Sequence, residues 1–140
     1  MNTKRYIITA LALLLTTFQL QAQTTDTIYN ASLFGIKSNG TTLNTTSIQK
    51  AIDFISETGG GTLRFYVGIY LTGTIELKSN VTILLEEGAI LMGSTNIYDY
   101  NITEPIPGLV YAKGADNIGI RGKGVIDGQG RDVAYNLVDQ

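Results

Sequence analysis

From Gly61 onward, glycine and turn residues cut the chain into β-prone pieces of only a few residues, and no helix-forming stretch separates them. The candidate strands are Thr62–Val67, Tyr70–Leu71, Thr74–Leu77, Val81–Leu85, Ala89–Met92, Val110–Ala112, Ile118–Ile120 and Val125–Ile126, all rich in branched and aromatic residues. Without intervening helices, strand–helix–strand crossovers are not expected. Instead the chain echoes itself. The run from Ile75 to Ile83 matches the run from Val110 to Ile120 with one residue inserted, so that Asn80 answers Asn117. Each run continues to a matching piece, Gly88–Ile90 and Gly124–Ile126. The two asparagines lie 37 positions apart, inside the roughly 20–50-residue period of solenoids, whose coils must stack because one coil cannot bury its own apolar face. Asparagine suits a recurrent corner because it tolerates left-handed backbone and can bond to the coil above or below.

Before Gly61 one helix is legible. Ile48, Ala51, Ile52 and Ile55 form an apolar stripe at helical spacing, and Gln49, Lys50, Asp53 and Glu57 take the outer face. Asn44 or Thr45 can cap its start, and Gly59 can end it in a left-handed conformation. A single amphipathic helix followed only by strands is expected to be a cap.

The composition narrows the chemistry. The 140 residues, 44% of them hydrophobic, are enough for one packed domain. There is no cysteine and no histidine, which removes thiol catalysis, serine–histidine triads and most zinc sites. The formal net charge of -2 argues against a nucleic-acid binder. The first 22 residues read as a leader: Lys4 and Arg5 precede a short apolar run, Tyr6 to Phe18, and cleavage is expected near Ala22. That makes the chain secreted or periplasmic, without a stable membrane span. Loss of Lys4 and Arg5 leaves 8 basic and 12 acidic residues, so attraction of a polyanion would need clustered Lys and Arg. Five Asn-x-Ser/Thr triplets, at Asn30, Asn39, Asn44, Asn80 and Asn101, are read as chance matches in an Asn- and Thr-rich chain.

Several residues invite a functional reading. The segment 93–109 holds both prolines with Tyr98 and Tyr100, and reads as a loop leaving the coil, either a tolerated insertion or a tyrosine-bearing cleft wall. Asp127, with Asp116 upstream, could be a general acid, but a corner aspartate bonding backbone N–H groups is the favoured reading. Glu86 and Glu87 would point to opposite faces if both lay in a strand. Gly122, Gly124, Gly128 and Gly130 do not make a phosphate-binding spacing, and no helix is expected to follow them. Lys113, Arg121 and Lys123 could meet a carboxylate, or form a solvated face.

As a set, the stretch Phe34 to Asp53, the glycine run Gly59 to Gly61 with Thr62 and Leu63, Tyr70 to Ser94, and Gly119 to Gly130 resemble the family 28 glycoside hydrolases, the polygalacturonase-like enzymes. The resemblance covers about 100 residues. It implies an all-β, right-handed parallel β-helix with one N-terminal capping α-helix: a leader over 1–22, a lead-in segment and cap over 23–61, and the first coils over 62–140, truncated early. It also implies pectic polysaccharide or oligogalacturonide as the partner of a monomer, with no cofactor and no metal. The family's Asn-Thr-Asp, Asp-Asp, Gly-His-Gly and Arg-Ile-Lys motifs do not occur here. No catalytic residue is therefore assigned, and the chain alone is expected to be inactive. The opening is shared with pectate-lyase-like and epimerase-like β-helices, and a non-catalytic carbohydrate-binding β-helix is the third alternative. Two departures from the family are the Arg64–Tyr70 turn, where Val67 stands near a usual proline, and the segment after Gly130.

Overall fold

The computed structural model describes residues 26–101 and 108–132. The expected leader lies outside them. Among the described residues nine strands are all paired in parallel. They are β1 Ile28–Asn30, β2 Gly61–Phe65, β3 Gly68–Thr72, β4 Ile75–Leu77, β5 Val81–Leu85, β6 Ala89–Gly93, β7 Val110–Ala112, β8 Gly119–Gly122 and β9 Val125–Asp127. Sheet A is β1-β2-β5-β8, sheet B is β3-β6-β9 and sheet C is β4-β7. The chain thus visits A, B and C in turn and climbs one strand per circuit, a right-handed parallel β-helix.

Alternation along the strands makes the core. Val81, Ile83 and Leu85 point inward from β5 while Thr82 and Leu84 do not. Inward residues stack in register, Tyr29 on Leu63 on Ile83 on Ile120 and Phe65 on Leu85. Phe65 is fully buried and meets Tyr70 edge-on, with ring centroids 4.9 Å apart. The strand β1 was not legible in the sequence. It adds a rung below β2.

The helix α1, Thr45–Glu57, buries the expected Ile48, Ala51, Ile52 and Ile55. It covers the lower end of the coil, and its polar residues do part of that work. Gln49 is not on a free outer face. Its Oε1 accepts from the Glu76 N–H (2.8 Å), and its Nε2 donates to the Glu76 carbonyl (3.0 Å), so one side-chain amide stands in for a missing strand beside β4. Thr45 Oγ1 accepts from the Gly73 N–H (2.7 Å), and Ser56 Oγ donates to the Ser79 carbonyl (2.8 Å). Asn44 sits at the N-cap without making a side-chain cap bond. Its buried amide instead accepts from the Lys37 N–H and donates to the Lys37, Thr42 and Leu71 carbonyls, pinning the lead-in segment to the coil. Gly59 does end the helix at φ 104°.

The asparagine corner is as expected. Asn80 and Asn117 have φ of 63° and 54°, and Asn117 Nδ2 donates to Asn80 Oδ1 at 3.1 Å. Two details differ. Ile75 pairs with Val110 but Asn80 with Asn117, so the corner gains two residues rather than one. Ile126 pairs with Leu91 and Val125 with Ile90, so the Gly88–Ile90 and Gly124–Ile126 echo is offset by one residue. A slip of one residue exchanges the two faces of a strand, and similar branched residues on both faces concealed it. Asn80→Ala is expected to cost about 1–2 kcal/mol for the left-handed backbone alone. Asn80→Gly should cost less than Asn80→Ala, because it keeps the backbone and loses only the amide bond. Urea denaturation of both variants checks the order.

Candidate functional site

The coil leaves its regular path once between β6 and β7, after Gly93. Ser94, almost fully buried, hydrogen-bonds the Asp99 carboxylate through Oγ, and its carbonyl accepts from the Tyr100 hydroxyl at 2.7 Å. Asn96 Oδ1 accepts from the Tyr98 N–H, which starts a short 3-10 turn, Ile97–Asp99. The Asn101 N–H then donates to Thr74 Oγ1. A Cβ on Gly73 would lie 1.7 Å from the Asp99 carbonyl oxygen, so only glycine lets the turn lie on the coil. Burial, and after it the Asp99 carboxylate, push the Tyr100 phenol above its ordinary range. The outcome is a ledge with one tyrosine used as an anchor and the other, Tyr98, 72% exposed. Residues 102–107 of the expected loop lie outside the described residues.

The ledge adjoins the outer face of sheet B. Two rows run across that face, Ile69–Ile90–Val125 and Leu71–Met92–Asp127. The next corner closes over the base of the ledge, since Gln129 Nε2 donates to the Gly93 carbonyl. Asp127 Oδ1 accepts from the Gln129 N–H at 2.9 Å, the turn-forming role favoured for it. Asp116 is elsewhere, at the corner between β7 and β8, where its backbone bonds Ser79 and Asn80. The structure does not bring these two carboxylates together. Glu86 and Glu87 lie in the turn after β5 and not in a strand, so it is the turn that sets their directions. Helical backbone does begin at Gly130, against expectation, but no phosphate-binding glycine spacing precedes it. The basic trio is dispersed: Lys113 follows β7, Arg121 lies in β8 and Lys123 is at the corner after it. Among the described residues no group of three or more Asp and Glu could hold a metal, and no helix is long and apolar enough to cross a membrane.

Sequence reasoning missed Arg64. It lies in β2, directly across Leu84 from Arg121, on the outer face of sheet A. Nothing in the local sequence marks it, because the coil stacking alone brings the two arginines to one face. A concavity of about 300 Å3 opens at the start of that face, lined among others by Asp26, Asn80, Thr82 and Asn117.

No protein-family model matches the chain. The exo-poly-alpha-D-galacturonosidase of Dickeya chrysanthemi is 38% identical in an alignment 120 residues long that covers 74% of this chain and 20% of that protein. A crystal structure from Parabacteroides merdae, designated only provisionally a glycosyl hydrolase, is 53% identical with a TM-score of 0.76, over 81% of this chain and 50% of that one. The family 28 exopolygalacturonase of Yersinia enterocolitica is 36% identical with a TM-score of 0.65, over 74% of this chain and 21% of that one. The chain spans about a fifth of the length of the curated relatives it matches. The parallel coil topology and these relatives agree: over the part of their length that it spans, the chain is similar to the polygalacturonase-like family 28 glycoside hydrolases.

Proposed function

We propose that the outer face of sheet B and the Tyr98 ledge form one wall of a groove for a pectic chain, in a secreted monomer that hydrolyses galacturonan with inversion. The observation that carries this is the ledge itself. An exposed aromatic ring is held by a part-buried Ser94–Asp99–Tyr100 network, in which Ser94 is buried, beside an apolar sheet face. Sugar rings present apolar faces that stack on aromatics and lie on such rows. The polysaccharide and the reaction come from the relatives named above.

Inverting hydrolysis needs a carboxylic acid and a water-activating carboxylate about 6.5–9.5 Å apart across the scissile bond. Asp127 is occupied in a turn and Asp116 sits at another corner. Neither is assigned a catalytic role, and the present chain is read as the positioning part of the machinery. The purified chain is expected to release no reducing sugar from polygalacturonate, and no unsaturated, ultraviolet-absorbing product either. Sustained release of reducing ends overturns this reading of the chain, and appearance of the unsaturated product moves it to the lyases. Tyr98→Ala is expected to weaken binding of a labelled oligogalacturonide, measured by fluorescence anisotropy.

A further inference from the structure

We propose a second carbohydrate site on the outer face of sheet A, an anion-reading surface for uronate chains that is separate from the groove on sheet B. It takes its ligand class from the functional reading above, but its residues and its test are its own.

Arg64 and Arg121 flank Leu84 in register, two strand spacings apart, about 10 Å at the backbone. Each guanidinium is held in place. Arg64 donates through Nε and Nη2 to Asn30 Oδ1 (3.1 and 3.0 Å) and lies 4.8 Å over the Tyr66 ring. Arg121 Nη2 donates to Asp26 Oδ2 at 2.9 Å and to Thr62 Oγ1 at 3.3 Å. These bonds engage only part of the five-donor fork of each arginine. The Asp26–Arg121 pair is about half exposed on both sides, so it is a weak bond that an incoming carboxylate can exchange. Tyr66 is exposed and adds an aromatic edge.

The concavity of about 300 Å3 continues this face and shares Asp26 and Thr82 with it. That is the lower end of the size range for small-ligand pockets. Its lining of amides, hydroxyls and a carboxylate suits a polyhydroxylated ring. A pyranose unit is about as long as one strand spacing, so a chain crossing the strands presents a carboxylate to each arginine with one ring between. Guanidinium forks match carboxylates in a bidentate way, which neutral glycans cannot exploit. The acidic net charge of the chain makes such clustering necessary for any binding of a polyanion.

The test measures anisotropy of a labelled oligogalacturonide with the wild-type chain and three variants, each checked for its far-ultraviolet circular dichroism. Arg64→Gln combined with Arg121→Gln is expected to weaken binding roughly tenfold, the scale of one charge-assisted bond. Asp26→Asn is expected to tighten binding several-fold by freeing Arg121, a gain that misfolding cannot mimic. Tyr98→Ala should leave this component in place. The proposal is overturned if the arginine double variant binds as wild type does, if Asp26→Asn gives no gain, or if Tyr98→Ala alone removes all binding. The last result would leave the sheet B groove standing. Equal binding of fully methyl-esterified pectin, or preference for DNA, also overturns it, because the surface would then not be reading uronate carboxylates.

Discussion

Replacing Phe65 with alanine is expected to remove about 3–5 kcal/mol of stability, a large share of the roughly 5–15 kcal/mol that a single domain holds in reserve. Phe65 is completely buried at the end of β2, its ring set edge-on against Tyr70 from β3 and stacked on Leu85 from the next coil. It therefore ties sheet A to sheet B and one coil to the next. A solenoid coil is stable only through its neighbours, so a void at this position weakens both contacts. The surrounding strands are fixed by their ladders and cannot collapse to fill it, which puts the cost at the upper part of the range. Urea denaturation checks it. A loss below about 1 kcal/mol would mean that the ring does not carry the stacking assigned to it.

What the sequence showed and what it hid follow from which interactions are local. The stripe Ile48, Ala51, Ile52 and Ile55 is buried as expected because helical spacing is a local rule. Asn80 and Asn117 were legible because few residues accept left-handed backbone. The failures are contacts between segments. Gln49 looked like any polar residue on an exposed helix face. Only the geometry of β4, whose lower edge needs a donor and an acceptor, gives it a role. The strand β1 is three residues long and owes its existence to β2. Arg64 and Arg121 meet because coils stack, and no motif joins them. Of the site, Tyr98 and Tyr100 were singled out together, yet the structure divides their labour: Tyr100 is the anchor and Tyr98 the exposed ring. Asp127 was read as a turn residue, and its bond to the Gln129 N–H is that of a turn.

Gly122→Ala is the substitution expected to separate the third coil from the second. Gly122 stands above Leu85 in the register of β5 and β8, continuing the column Phe65–Leu85 with no side chain. Its φ is 118°, and a Cβ there would lie 1.9 Å from the Leu85 carbonyl oxygen. That oxygen is fixed, since it accepts from both the Lys123 and Gly124 N–H groups at 3.0 Å. The backbone must therefore move and break both bonds. At about 1 kcal/mol for each bond, plus 1–2 kcal/mol for the unfavourable φ, the cost is about 3–4 kcal/mol. The damage is local in a way that distinguishes it from Phe65→Ala. The helix α1 packs on β2 and β4, and Phe65 of β2 meets Tyr70 of β3, all below the break, so their amides should stay protected against hydrogen exchange. Amides of β8 and β9 should exchange at rates near those of an open chain. The corner at Asp127 and Gln129 depends on β9, so the Gln129 bond to the Gly93 carbonyl is lost with it. Tyr98 then sits on a ledge missing its upper support, and oligogalacturonide binding at sheet B should weaken while the Arg64 side of sheet A keeps its Asn30 bonds. Uniform loss of protection across all strands would show instead that the coils unfold as one unit, and that the third coil is as integral to the fold as the core around Phe65.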